Sequence, residues 1–275
     1  YFANTDYLYY RPLQSLSNMF DYYIWGLNPL GFHLTNVLLH ICAAILIYYF
    51  VNILFDDREL SFFTSLLFVV HPINTSVVNY ITSRADTLLT IFTISSLIFF
   101  LEAKHYKFYL LSLICFILAL LSKETAMIFP LCLIFTREMY AKIKKERIGF
   151  EIVTARFWYI AFMAIPIAYI LLRIKFIGVG ANIFPPSQTN LLGIVVTLSK
   201  ISINYLKLIY LPFALHMLRN IAIVELTKNI IILYIIFISL GMLFLLVIYR
   251  LNKIIFFSLG LFLLWVLPIG LIALK

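Results

Sequence analysis

The chain has 275 residues, of which 64% are hydrophobic and 12% charged, and its mean hydropathy is +1.03. This composition excludes an ordinary soluble domain, in which roughly half of the residues are apolar and a quarter are charged. The formal charge of +9 does not indicate a nucleic-acid-binding protein, because the basic residues lie mostly between apolar segments and form no stripe with stacking aromatics. The sequence therefore predicts an all-α, polytopic membrane helix bundle whose main partner is the lipid bilayer.

Residues 1–32 are polar and rich in Tyr and Trp, which prefer the headgroup level, and they are predicted to form an outer-face loop with interfacial amphipathic segments. Residues 33–275 are predicted to form a transmembrane helical domain. Its eight or nine apolar segments are expected at 33–55, 60–80, 85–102, 108–121, 125–138, 155–175, 191–211, 229–249 and 253–273. We expect this domain to continue beyond both ends of the chain, because no initiator Met precedes Tyr1 and Lys275 directly follows an apolar run.

The runs 108–121 and 125–138 are shorter than the roughly 20 residues that cross a bilayer, so they predict a broken helix pair around Lys123 and Glu124. The basic stretch 137–147 is predicted to be a cytoplasmic loop. Counting crossings back from that loop places the N-terminal loop, region 71–86 and Lys123 on the outer face.

Two polar clusters in the first part of the chain are candidates for function, because ionisable groups near a bilayer are costly. Arg11, with Pro12 after it, has the planar fork that binds two phosphate oxygens; the alternative is a headgroup anchor. His33, Asn36 and His40 follow the spacing i, i+3, i+7 and are expected to share one helix face. Interhelical hydrogen bonding accounts for that stripe better than metal ligation does.

Two further clusters lie beyond the first apolar segment. In the stretch 71–86, the polar residues His71, Asn74, Asn79 and Arg84 are expected at one membrane depth. Helix capping accounts for the nearby Asp86 about as well as catalysis does. Lys123 and Glu124 form a charged pair between two half-length apolar runs. A fixed ammonium there suits an anionic head group, and mutual neutralisation of the two side chains is the alternative.

Several runs together carry a resemblance to a known family. They are Tyr-Arg-Pro-Leu at 10–13, the stretch from Trp25 to His40, His-Pro at 71–72, Arg-Ala-Asp at 84–86 and Ser-Lys-Glu at 122–124. In this order they resemble the transmembrane, TPR-bearing protein O-mannosyltransferases and their bacterial relatives, which belong to the GT-C class of glycosyltransferases.

The resemblance implies a GT-C membrane fold with its active site on the outer face. It implies an inverting enzyme that moves a sugar from a polyprenyl-phosphate carrier to a hydroxyl acceptor such as protein Ser or Thr. The general base of the family is an acidic residue of the first outer loop, which we expect upstream of Tyr1, and the TPR array is expected after Lys275. This chain is thus expected to lack the catalytic acidic residue.

On this basis Lys123 and Arg84 are predicted to bind the donor phosphate, with Arg11 as a further candidate. Asp86 is predicted to orient Arg84 and His71 to line the donor pocket. The remaining site-lining candidates are Glu124, His33, Asn36 and His40. No metal site is predicted, because the two helical histidines are two turns apart and no carboxylate completes a ligand set; the sequence leaves the metal requirement of the enzyme undecided.

There are two alternative functions, and the sequence departs from the family pattern at one stretch. A transporter or lipid-linked sugar flippase is the alternative function, but it should show two broken helix pairs where one is visible. A structural scaffold would not explain the polar clusters. The stretch after His-Pro reads Asn74-Thr75-Ser76 where the family commonly has His-Thr-Glu. Together with the Ile-, Lys- and Asn-rich composition, this predicts a bacterial cytoplasmic membrane protein, with the endoplasmic reticulum as the alternative.

Overall fold

The computed structural model describes residues 10–145, 150–177, 191–212, 241 and 244–273. Their regular structure is helical, and no strand occurs within these ranges. The predicted all-α class is therefore confirmed. The chain divides into two units, Tyr1–Gly178 and Val179–Lys275.

The first unit contains eight of the described α-helices. They are α1 (Pro12–Trp25), α2 (Pro29–Phe55), α3 (Arg58–Val70), α4 (Thr75–Asn79), α5 (Arg84–Leu101), α6 (Tyr106–Ser122), α7 (Phe129–Ile143) and α8 (Phe150–Ile177). Short 3-10 turns occupy Pro72–Asn74, Ile81–Ser83 and Glu124–Ile128. In the second unit, α9 (Leu191–Tyr210) packs against α10 (Lys253–Ala273).

Three stretches are long and apolar enough to cross a membrane: Pro29–Phe55, Ile81–Leu101 and Arg156–Lys175. A fourth span results if Arg58–Val70 and Pro72–Asn79, which meet at a 50° bend, count as one. The membrane class is thus confirmed, but the described residues hold fewer such helices than the eight or nine apolar segments predicted. Most of the predicted segment 229–249 lies outside the described residues.

The broken helix pair predicted around Lys123 is present. The backbone is extended at Lys123 (φ −156°, ψ 136°), which ends α6, and a 3-10 turn then leads into α7 with Pro130 near its start. The predicted loop 137–147 is wrong for its first seven residues, because α7 continues to Ile143. Arg137 of that helix is buried. The next residue, Glu138, forms an ion pair with Arg156 of α8, with 3.7 Å between Oε1 of Glu138 and Nε of Arg156.

The contact between α5 and α6 sets the geometry of the bundle. Ser96 and Ser112 are fully buried and exchange hydrogen bonds, with each hydroxyl donating to the other residue's carbonyl oxygen at 2.8 and 2.7 Å. Such small residues allow two helices to approach closely in a membrane. One helical turn further along, the rings of Phe100 and Tyr109 meet at 5.1 Å. The two helices are therefore antiparallel, which brings the start of α5 beside the end of α6.

Candidate functional site

The polar clusters predicted from the sequence meet at one end of the first unit, where α2 and α5 begin and α3 and α6 end. Three cations lie there, namely Arg11, Arg84 and Lys123, and each forms an ion pair with a different carboxylate. The three pairs differ in burial, and this difference separates their possible roles.

Lys123 is at the C-terminal cap of α6, and its ammonium contacts a carboxylate oxygen of Asp86 in the first turn of α5. The Lys123 side chain is 21% exposed and that of Asp86 is 41% exposed, so the pair lies at the open end of the bundle. Asp86 was predicted to orient Arg84, and Lys123 to be neutralised by Glu124 as the alternative. In the structure Asp86 and Lys123 are paired with each other instead.

Arg11 forms a bidentate ion pair with Glu124. Its Nε donates to Oε2 at 3.2 Å and its Nη2 donates to Oε1 at 3.0 Å. Burial raises the pKa of Glu124, but the hydrogen bonds from Arg11 and the backbone, with the charges of Arg11 and Lys123, outweigh it, so the pKa lies below its ordinary value. Glu124 is thus held as a carboxylate, and Arg11 is held over the helix break beside Lys123.

Arg84 is fully buried, with 0% of its side chain exposed. It forms an ion pair with Asp21 of α1 at 2.5 Å, and its Nε donates to the side-chain oxygen of Asn36 at 2.8 Å. Further hydrogen bonds reach Ser17 and the carbonyl oxygen of Phe32. These contacts favour a positioning role for Arg84 over the predicted contact with the donor phosphate.

The polar residues predicted to share one face of α2 contact different neighbouring segments. The amide of Asn36 faces Arg84 and also donates to the carbonyl oxygens of Val78 and Tyr80, at 3.3 and 3.4 Å. His40 is buried and stacks on Phe68 of α3 with ring centroids 4.8 Å apart. Both ring nitrogens of His40 lack a hydrogen-bond partner among the described residues.

The two remaining histidines lie nearer to the open end. Nδ1 of His71 accepts a hydrogen bond from the backbone N–H of Ile73 at 3.2 Å, which caps the turn that follows α3. His33 is half-buried in the second turn of α2. Within the described ranges, no group of three or more His, Cys, Asp or Glu side chains could hold a metal ion.

Two functional candidates were missed by sequence reasoning. Asp21 was passed over because it lies outside the family motifs, although it is the single acidic residue between 10 and 32, in a segment rich in aromatics. A lone carboxylate in such a segment is itself a signal that it has a buried partner. Tyr169 of α8 is close enough to Glu124 and Arg173 for their charges to act on its phenol, so α8 also borders this site.

The arrangement around Lys123 has the charge and exposure that suit an anion. The ammonium is partly open to the surface, and its partner Asp86 is exposed enough to be solvated if an anion displaces it. Arg11 adds a guanidinium next to the same helix break. Two cations so placed suit a phosphate group, which Arg binds through its fork and Lys as a point charge.

Comparisons with known proteins agree with the family resemblance. A family described as dolichyl-phosphate-mannose-protein mannosyltransferase matches residues 19–172, which is more than half of the chain. Human protein O-mannosyl-transferase TMTC1 is 35% identical over 153 residues, covering 48% of this chain and 17% of that protein. Human TMTC2 is 41% identical over 93 residues, covering 34% and 11%. Xenopus laevis tmtc2 is 30% identical over 193 residues, covering 66% and 23%.

The chain thus spans less than a quarter of the length of each of these curated relatives. The family match includes Arg84, Asp86 and Lys123, and it begins after Arg11. No solved structure matched the chain.

Proposed function

The chain belongs to the dolichyl-phosphate-mannose-protein mannosyltransferase family, and from this premise we propose that it is the donor-binding part of a multi-pass membrane glycosyltransferase. The donor is a sugar linked to a polyprenyl phosphate, and the acceptor is a hydroxyl group such as that of protein Ser or Thr. The observation that carries the proposal is the half-open Lys123–Asp86 pair at the helix break, beside Arg11.

The proposed reaction inverts the anomeric carbon. The acceptor oxygen forms a bond to that carbon, the bond from carbon to the phosphate oxygen breaks, and the hydroxyl proton passes to a general base. Polyprenyl phosphate leaves with an added negative charge, which a preorganised cation stabilises more strongly in the transition state than in the ground state. We assign this stabilisation to Lys123 first and to Arg11 second.

The order of the two cations follows from their partners. Asp86 is 41% exposed and loses little when a phosphate replaces it at Lys123, because water solvates the released carboxylate. Arg11 donates two hydrogen bonds to the carboxylate of Glu124, which is less exposed than that of Asp86. Its guanidinium is therefore less available to a phosphate than the ammonium of Lys123. Asp86, Glu124 and His71 then line the site, with His33 at its edge, and Asn36 and His40 lie deeper.

The open end of the bundle is proposed to face the outer side of the membrane, with residues 1–32 as the outer loop and residues 33–275 as the transmembrane domain. The general base is proposed to come from an acidic residue of the first outer loop, as the family resemblance implies. The predicted preference for a bacterial cytoplasmic membrane over the endoplasmic reticulum gains no support from the relatives quoted above, which are animal proteins.

A transfer assay tests the proposal. The full-length protein in lipid nanodiscs is incubated with radiolabelled polyprenyl-phosphate sugars and candidate acceptor peptides, in parallel with the Lys123→Ala variant. We expect label on the acceptor with the wild type and about a hundredfold less with the variant. Movement of the labelled lipid between leaflets without transfer would favour the flippase alternative and contradict the proposal.

A further inference from the structure

Helix α1 is attached to the bundle mainly by polar contacts. Of its 14 residues, Asp21 is the one that is buried. The large apolar side chains along the helix are mostly exposed: Leu16 is 61%, Met19 67% and Phe20 64% accessible. Because these apolar side chains do not pack inside the bundle, the polar contacts of α1 are what connect it to the neighbouring helices.

The most buried contact of α1 is centred on Asp21. One carboxylate oxygen forms the ion pair with Arg84 at 2.5 Å, and the other accepts a hydrogen bond from the hydroxyl of Thr35 in α2 at 2.9 Å. Ser17, one turn earlier in α1, accepts from the same guanidinium through its carbonyl and hydroxyl oxygens. The carboxylate of Asp21 therefore connects α1 to both α2 and α5.

All three nitrogens of the Arg84 guanidinium are engaged by these contacts. Arginine has five N–H donors, and the ones on Arg84 reach Asn36, Ser17, Phe32 and Asp21. Three helices thus share one buried cation at the depth where α5 begins. Asp86, the partner of Lys123, is two residues further along the same first turn of α5.

We propose that Asp21 is a positioning residue of the donor site, acting through Arg84. Its ion pair sets the position of α1, and Arg11, ten residues earlier and about 15 Å away along a helix, is thereby held over Glu124 beside Lys123. The inference rests on the proposed function for its importance in catalysis, but the position of α1 can be measured without any transfer reaction.

The test measures that position by cross-linking. Gln14 of α1 donates to the backbone carbonyl of Thr82 at 2.7 Å, so cysteines at positions 14 and 82 report whether α1 lies on the bundle. Cys42, Cys115 and Cys132 are first replaced by alanine, and a short bismaleimide then joins the two introduced thiols in the full-length protein. We expect Asp21→Asn to lower the cross-linking yield at least about fivefold.

A second variant keeps the test decisive where Asp21→Asn leaves Arg84 as an uncompensated buried charge and the protein fails to fold. The double variant Asp21→Asn/Arg84→Gln removes both charges and leaves two amides that can bond to each other. We expect it to fold, to cross-link less than the wild type and to show a kcat lowered about tenfold with the donor KM changed less than threefold, because Arg11 acts on the leaving phosphate in the transition state. Asp56→Asn, at an exposed aspartate elsewhere, is the matched control and should change nothing.

Wild-type cross-linking in the folded double variant would overturn the proposal, because α1 would then hold its position without the ion pair. Reduced cross-linking with an unchanged kcat would overturn the link from α1 to the donor site. If the wild-type protein transfers no sugar, the proposed function fails, and the cross-linking yield still decides whether Asp21 positions α1.

Discussion

Replacing Lys123 by alanine should separate activity from stability. The variant removes the ammonium and keeps the extended residue that ends α6. Because its partner Asp86 is 41% exposed, the pair contributes no more than about 1 kcal/mol to folding, and the released carboxylate is solvated. A preorganised contact to the leaving phosphate contributes on the order of 3 kcal/mol to the transition state, which is about a hundredfold in rate.

The matched comparison is Arg84→Ala, which removes a cation from a fully buried pair. This substitution leaves the carboxylate of Asp21 buried without its charge partner, and breaking such a pair costs about 3–5 kcal/mol of stability. Arg84→Ala should therefore lower the folded fraction, whereas Lys123→Ala should leave it nearly unchanged while the rate falls.

The assay compares the two variants in nanodiscs, with transfer of radiolabel measured at saturating acceptor and unfolding followed by intrinsic fluorescence. Lys104→Ala is the control, because this lysine is exposed in the turn between α5 and α6 at the opposite end of the bundle. The reasoning is refuted if Lys123→Ala transfers sugar at the wild-type rate, or if it loses as much stability as Arg84→Ala.

Three further predictions concern contacts around the site and within the bundle. The pKa of Glu124 lies below its ordinary value of 4.5, so its pair with Arg11 should stabilise the protein above pH 4.5 and lose that effect as the pH falls through the lowered pKa. The difference in melting temperature between wild type and Glu124→Gln should therefore shrink as the pH is lowered below 4.5, and a difference that stays constant throughout acidification would contradict this. Ser112→Ala removes the hydroxyl that donates to Ser96 and should cost about 0.6–1.7 kcal/mol in a denaturation series, with no change in donor KM. Gly31→Ala would place a methyl carbon 2.1 Å from the indole ring of Trp25, which packs against Gly31. The substitution should lower the melting temperature by the equivalent of about 1–3 kcal/mol. An unchanged melting temperature would contradict this, because it would show that the indole ring moves away freely.

Parts of the candidate site could be predicted from local sequence. The helix break at Lys123 follows from two apolar runs too short to span a bilayer, and α6 does end there. The grouping of Arg84, Asp86 and Lys123 at one end follows from counting antiparallel crossings. Which carboxylate pairs with which cation could not be predicted. Lys123 and Glu124 are neighbours in sequence, but the partner of Lys123 lies on α5 and that of Glu124 immediately precedes α1.

The helical stripe on α2 illustrates the same limit. The spacing of His33, Asn36 and His40 placed them on one face, yet Asn36 bonds to Arg84 while His40 stacks on Phe68 of α3. In a helix bundle, one face of a helix can contact more than one neighbouring helix. The spacing of residues in the sequence does not say which of these helices each residue contacts.

The sequence by itself determined the membrane class, the family and the charged residues that meet at one end of the bundle, because composition, apolar run length and motif order are local properties. The tertiary structure alone decided which charged side chains are exposed and which are buried. Arg84 and Lys123 look equally suited to a phosphate in the sequence, but Arg84 is fully buried and paired with Asp21, which lies 63 residues before it. Only the packing of α1 on α2 and α5 brings that carboxylate to the guanidinium, and burial determines whether a cation serves the fold or a ligand.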